Sequence, residues 1–303
     1  MESVSSQASV AFTRVGEIRC QVGESPTWSA QESVFYWTDI EGKRIWRLDP
    51  VSGATRSWTT TEMTGCVAGR AGGGLIAGME TGVFQLELGD GEAAVQRKLA
   101  SPGPELGPNM RFNDGRCDRQ GRFWAGTMLM NSPTPQAVGK LYRYDTARGI
   151  SAPMVAELLT QNGLGFSPDG RTMYLSDSNA LRRMVWAFDY DIDDGVPSNQ
   201  RVFADLSSEV GRPDGAAVDT DGCYWVCGND GGYIYRFTPQ GKLDRKVAVP
   251  MLKPAMCAFG GKNLDTLIVT SIPSGKPEDA EYGGAVVLLR PGYQGIAETP
   301  FGA

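Results

Sequence analysis

No histidine occurs anywhere in the 303-residue sequence, and that absence removes several mechanisms at once. A Ser-His-Asp triad, a Cys-His dyad and every imidazole-ligated zinc or iron site are excluded. Acid–base chemistry near neutral pH must rest on carboxylate, lysine, tyrosine or cysteine side chains. Any metal must be held mainly by oxygen unless scattered thiols converge. Cysteine is scarce too: Cys20, Cys66, Cys117, Cys223, Cys227 and Cys257, with no C-x-x-C pair. Buried, reduced thiols and no disulfide are expected. No apolar run approaches the roughly 18 residues of a membrane span. The N-terminal MESVSSQASVAF has neither the basic start nor the apolar centre of a secretory signal. Positive charge is also short, with a formal net charge of −6, which argues against a nucleic-acid partner held by phosphate neutralisation. The expectation is a cytoplasmic protein with no membrane or nucleic-acid partner.

What the chain has is turns and a repeat. Its 39 glycines and 18 prolines, with aromatics spread evenly, favour many short strands joined by tight turns. Four stretches open similar units: Gly23-Glu24-Ser25-Pro26, Arg111-Phe112-Asn113-Asp114-Gly115, Asn162-Gly163-Leu164 and Pro213-Asp214-Gly215. Each is followed by a turn and then an aromatic-rich run, as in Asp219-Thr220-Asp221-Gly222 before Tyr224-Trp225-Val226. Gly65 holds the equivalent place in a further unit that supplies spacing but no ligand. The markers at 24, 65, 113, 162 and 214 are 41, 48, 49 and 52 residues apart.

A period of this size with four strands per unit predicts a β-propeller. The fold class expected is all-β, with six blades of four antiparallel strands. The sixth unit, from Ala255 to about Arg290, shows three clear strands, and a strand over Ala11–Cys20 is left over at the start. Joining the two closes the ring and hides both edges. Residues 1–10 read as a loose terminus and 11–303 as a single propeller domain.

The first strand of each propeller blade lines the central channel, so side chains opening equivalent first strands meet on one rim. Glu24, Asn113, Asn162 and Asp214 then form an all-oxygen set of modest charge, suited to a hard divalent cation with open positions. Asp39 and Asp177 close equivalent second strands and are expected just behind that set. Taken singly, Asn162-Gly163, Asp214-Gly215 and Asn113-Asp114-Gly115 also read as ordinary turn sequences.

The stretches GESPTW, RFNDGRCDRQGRFWAGTM, NGLGFSPDGRTMYLSDS, PDGAAVDTDGCYWV and CAFGGKNLDTLIVTS resemble the senescence-marker-protein/gluconolactonase/luciferin-regenerating-enzyme family, which includes regucalcin. The resemblance spans residues 23 to 271. It implies a six-bladed propeller and metal-dependent hydrolysis of sugar lactones. By resemblance Glu24, Asn162 and Asp214 match the metal ligands, Asn113 a substrate- or metal-facing amide, and Arg111 a substrate-binding guanidinium. Regucalcin-like members carry an acidic residue shortly after the GTM stretch, where this chain has Met128-Leu129-Met130-Asn131. The Met128–Val138 loop with Asn131 is then the local polar partner for substrate hydroxyls, and a pentonolactone is favoured over gluconolactone.

The expected cofactor is one divalent ion, Ca²⁺ or Zn²⁺ ahead of Mg²⁺ or Mn²⁺. The expected partner is a sugar lactone, and the protein a monomer or small homo-oligomer. Asp214 is the expected proton acceptor as well as a ligand. Two other readings use the same ring: a calcium-binding regulatory protein without lactonase activity, and an organophosphate hydrolase.

Overall fold

A computed structural model describes residues 10–303. The strands form six separate antiparallel sheets. Blade 1 runs through Gly23–Ser29, Val34–Asp39, Arg44–Leu48 and Thr55–Thr59, and blade 2 through Thr64–Gly69, Leu75–Met79, Val83–Glu87 and Val95–Ala100. Blade 3 contains Met110–Cys117, Phe123–Leu129 and Gly139–Asp145, with its outer edge split into Gly149–Ile150 and Val155–Leu158. Blade 4 runs through Gln161–Phe166, Thr172–Asp177, Met184–Asp191 and Val196–Asp205. Blade 5 comprises Arg212–Val218, Tyr224–Asn229, Tyr233–Phe237 and Leu243–Ala248. Blade 6 takes Pro254–Gly260, Thr266–Ser271 and Val287–Leu289 from the end of the chain. Its fourth strand, Phe12–Arg14, comes from the beginning and pairs with Val287–Leu289. The six-bladed propeller closed by an N-terminal strand is the architecture the repeat predicts.

That closing strand is shorter than the Ala11–Cys20 expected. Gly16 adopts φ +51° and turns the chain out of the ladder. Either side of Gly16 the segment is tied to the last blade by single backbone contacts, Val15 N to Val286 O at 2.8 Å and Cys20 N to Gly284 O at 2.7 Å. The loose terminus expected over residues 1–10 falls, apart from Val10, outside the described residues.

Burial falls from axis to periphery. Inner and second strands such as Gly23–Ser29 and Val34–Asp39 are almost wholly buried, whereas the outer strand Val196–Asp205 is mostly exposed. Strands covered on both faces need no polar/apolar alternation, which is why GESPTWS and VFYWTD lack it. Apolar packing falls into six clusters, one at each junction between neighbouring blades. Ile45 and Tyr36 of blade 1 meet Val67 and Ala77 of blade 2, and Trp225 of blade 5 meets Phe259 and Leu267 of blade 6. Trp28 and Phe35 of blade 1 meet Ala258 and Ile268 of blade 6, completing the ring. All six cysteines are free and buried.

The C-terminal segment after Val287–Leu289 has no counterpart in the sequence pattern. It crosses the end of the propeller opposite the strand starts, through Thr220 N to Gln294 O at 2.9 Å and Phe301 N to Gly69 O at 2.8 Å. Glu298 reaches the axis and pairs with Arg116 at 2.6 Å. A cavity of about 110 Å³ lies at that end, lined among others by Trp28, Arg70, Arg116 and Glu298. No helix among the described residues is long and apolar enough to cross a membrane.

Candidate metal centre

Every inner strand carries a register shift near its start, between Glu24 and Thr27, Thr64 and Cys66, Phe112 and Gly115, Asn162 and Gly165, Pro213 and Ala216, and Pro254 and Cys257. Each places one extra residue opposite the second strand, a β-bulge that re-aims the neighbouring side chains. The stretches that also read as turns are therefore bulged strand segments. Backbone φ is +49° at Ser25 and +58° at Gly163, each directly after a predicted ligand. Side chains are strained in that region, so Ser25 holds an uncommon conformation beside Glu24.

Four polar side chains beside the bulges are buried: Glu24, Asn113, Asn162 and Asp214, at 7%, 7%, 3% and 5% exposure. Burial raises the Glu24 carboxyl well above its ordinary range, and the charges of Asp214 and Asp114 push it further. Burial likewise raises Asp214 to about 7, against the pull of Arg212 and a hydrogen bond from Asn229. Glu24 and Asp214, some 190 residues apart in sequence, thus come near enough for the charge of Asp214 to bear on Glu24.

Asn162 Nδ2 donates to Ser178 Oγ at 2.9 Å. That orientation leaves Asn162 Oδ1 buried with no partner among the described residues. Blade 3 contributes differently. Arg111, half-buried, donates from Nη1 to Asn113 Oδ1 at 2.6 Å, and Asn113 Nδ2 donates to Gln161 O at 2.7 Å. Both ends of the Asn113 amide are thereby engaged, one of them with blade 4.

Blade 2 offers no side chain for a steric reason. A Cβ on Gly65 would stand 2.2 Å from the carbonyl oxygen of Phe112, so the backbones of blades 2 and 3 meet directly there.

Asp39 and Asp177 occupy matching places behind the ring, pairing with Gly23 and Gln161 at the mouths of their hairpins. Asp39 Oδ1 accepts from Gln21 N and Val22 N, both at 3.0 Å. Asp177 accepts from Leu159 N at 2.8 Å and Thr160 N at 3.0 Å. Each carboxylate thus fixes the segment that delivers a ligand-bearing strand. Asn131 is exposed, with φ +49°, just past the Met110–Leu129 pair that ends the ladder. That is the same end of blade 3 as Arg111.

Two contributors were not singled out in the sequence. Asn229 ends the second strand of blade 5, in the place held by Asp39 and Asp177, and donates from Nδ2 to Asp214 Oδ2 at 2.5 Å. Aligning Tyr224–Asn229 on the other second strands would have found it. Asp114, buried at 3% exposure, accepts at Oδ2 from Leu164 N at 2.7 Å. Its Oδ1 has no partner among the described residues.

Among the described residues no three cysteine, aspartate or glutamate side chains converge as a metal cage. The predicted set instead combines two carboxylates with an amide oxygen. Its chemistry fits a divalent cation: two buried carboxyl groups gain a counter-charge from it, and a buried amide oxygen has no donor among the described residues.

The SMP-30/Gluconolactonase/LRE-like family model matches residues 22–273. The chain belongs to that family. Among relatives, the 6-deoxy-6-sulfogluconolactonase of Pseudomonas putida is 36% identical over 92% of this chain and 94% of that protein. The regucalcin of Danio rerio is 34% identical over 86% of each. The L-arabinolactonase of Azospirillum brasilense is 32% identical over 95% of each. Among solved structures, a luciferin-regenerating enzyme superposes with a TM-score of 0.89 at 25% identity, covering 97% of this chain and 99% of that one. This member of the SMP-30/gluconolactonase family thus keeps the whole propeller of its relatives.

Proposed function

We propose that this protein hydrolyses a sugar lactone, an aldono-lactone of five or six carbons, in a reaction that depends on a divalent cation. The observation that carries the reading is the buried Asn162 Oδ1, which has no partner among the described residues, together with the buried Glu24 and Asp214 carboxyl groups. Relatives named as lactonases of a six-carbon sulfosugar and of arabinose support the substrate class and both carbon counts.

Glu24, Asn162 and Asp214 would hold the cation. All-oxygen ligation favours a hard ion such as Ca²⁺, with Zn²⁺, Mg²⁺ and Mn²⁺ as further candidates. When bound, the ion supplies Lewis acidity toward the ester carbonyl and the attacking water.

The protein's own groups do the rest. Arg111, fixed by its bond to Asn113, orients lactone oxygens and offsets negative charge on the carbonyl oxygen. Asn229 donates to Asp214 Oδ2 and so fixes the carboxylate that would take the proton of the attacking water. Water adds to the carbonyl carbon, the ring C–O bond breaks, and the proton ends on the released hydroxyl. Asn131 and the Met128–Val138 loop contact the sugar hydroxyls, and the apolar Met128 and Met130 favour a five-carbon sugar lactone.

The regucalcins among its relatives motivate a second reading, a calcium-binding regulatory protein. Acid release from a panel of sugar lactones, with each metal and with a chelator, separates the two. Metal-dependent turnover above spontaneous hydrolysis is expected. None on any lactone would leave the binding reading.

A further inference from the structure

One guanidinium stands behind two of the three proposed cation ligands. Arg212 opens the inner strand of blade 5, two residues before Asp214. Its Nη2 donates to Asn229 Oδ1 at 3.2 Å, and Asn229 Nδ2 in turn donates to Asp214 Oδ2 at 2.5 Å. Its Nη1 donates to the carbonyl oxygen of Ser178 at 3.1 Å, and the hydroxyl of that serine accepts from Asn162 Nδ2 at 2.9 Å. Ser178 directly follows the second strand of blade 4, so the fork spans two blades. The third edge, Nε, donates to Asp230 at 2.8 Å, and Asp230 also pairs with Lys253 at 3.4 Å.

We propose that Arg212 is the positioning residue of the cation site, setting the orientation of Asn162 and Asp214 together. The inference rests on the metal-dependent reading above. An amide has one accepting and one donating end, and only the accepting end serves a cation. Ser178 Oγ holds the donating end of Asn162, and Arg212 fixes Ser178 through its carbonyl. Arg212 also donates to Asn229 Oδ1, so the Asn229 amide turns its NH₂ toward the Asp214 carboxylate. The opposite orientation would set carbonyl oxygen against carboxylate. Asn229 and Ser178 are 1% and 3% exposed, so water does not take over either task. All three edges of the guanidinium are engaged, which makes this arginine a part of the frame, whereas Arg111 faces substrate. Lysine, a compact charge without a planar fork, cannot reach both acceptors in this geometry.

Calorimetric titration with Ca²⁺, and separately with Zn²⁺, tests the proposal on the full-length protein, Arg212→Lys and Asp230→Asn. Thermal melting in chelator accompanies each titration. Arg212→Lys is expected to bind the ion about 10- to 100-fold more weakly, the scale for losing an outer support of a metal ligand, while melting close to the wild type. Asp230→Asn removes the surface ion pair but keeps both inner hydrogen bonds, so its affinity is expected within about 2-fold of wild type, well below that scale. Arg212→Gln, which keeps one donor group, is the second variant, and an intermediate loss is expected. Wild-type affinity in both Arg212 variants would overturn the proposal, as would an equal loss in Asp230→Asn. No divalent binding by the wild type would overturn the metal reading itself, and this inference with it, a result distinct from equal affinities.

Discussion

Asn229 Nδ2 lies 2.5 Å from Asp214 Oδ2, a bond across the blade 5 hairpin that leaves one oxygen of the carboxylate for the channel. Asn229→Ala would remove the donor and leave a buried carboxylate oxygen without its partner. We expect a 10- to 100-fold loss of divalent-cation affinity, on the order seen when such outer contacts are cut, and a matching fall in kcat/KM at subsaturating metal. Titration with Ca²⁺ and lactone kinetics over a metal series measure both. Unchanged affinity would show that the bond does not orient Asp214.

Bound metal should offset a loss of stability with rising pH. Asp214 rises from 3.8 to about 7 on folding, and Glu24 moves in the same direction, because burial penalises their charged forms. A carboxyl raised by folding contributes stability that is complete below its unfolded value near 4 and is lost as pH climbs through the folded value. Metal-free protein in chelator should therefore lose melting temperature from about pH 4 to pH 7. Saturating cation, which binds the ionised carboxylates, should offset that loss. Glu24→Gln should raise the melting temperature of metal-free protein at pH 8 and weaken metal binding. A flat profile in chelator would contradict the burial of these charges.

Five blades were legible because each is one structural unit with its turn at a similar offset from its marker, and the sixth because its three strands and the leftover N-terminal strand complete the ring. Glu24, Asn113, Asn162 and Asp214 stand out in the sequence for the same reason, since each lies beside the bulge at the start of its inner strand. Asn229 lies in the same alignment, but its partner depends on a side-chain direction that spacing does not carry. The clamp roles of Asp39 and Asp177 also depend on which backbone N–H groups their loops present. The C-terminal path was not legible at all. Its contacts, such as Glu298 with Arg116 and Phe301 with Gly69, join distant residues and leave no periodic trace. The closing strand was read too long because Gly16 marks its end only through a positive φ.

Gly65 gives a purely steric test. A Cβ there would meet Phe112 O at 2.2 Å and Asn113 O at 2.7 Å, and both atoms are backbone, so neither can swing away. Gly65→Ala should destabilise by about 1–3 kcal/mol through overpacking, read from chemical denaturation. The strain falls on the strand that carries Asn113 and Arg111, so KM for the lactone should rise more than kcat falls. Gly69→Ala has nothing within 4 Å of the new Cβ and should leave both quantities near wild type.

Asp214→Asn addresses the reaction itself. Asparagine keeps an oxygen for the cation and a shape close to the native one, but cannot accept the proton of the attacking water. If Asp214 serves in both roles, kcat should fall by about 10²-fold or more, the scale of a positioned proton acceptor, even at saturating metal. If it is a ligand alone, raising the metal concentration should restore most of the rate. Glu24→Gln is the matched control, because it also weakens the ligand set but removes no proton acceptor in this reading. Its activity should therefore recover with excess cation while that of Asp214→Asn does not. Rates must be taken above the spontaneous opening of the lactone, and single-turnover measurements would separate the chemical step from product release. Full metal rescue of Asp214→Asn would move the proton acceptor elsewhere in the channel, with Asp114, whose buried Oδ1 has no partner among the described residues, the next group to substitute.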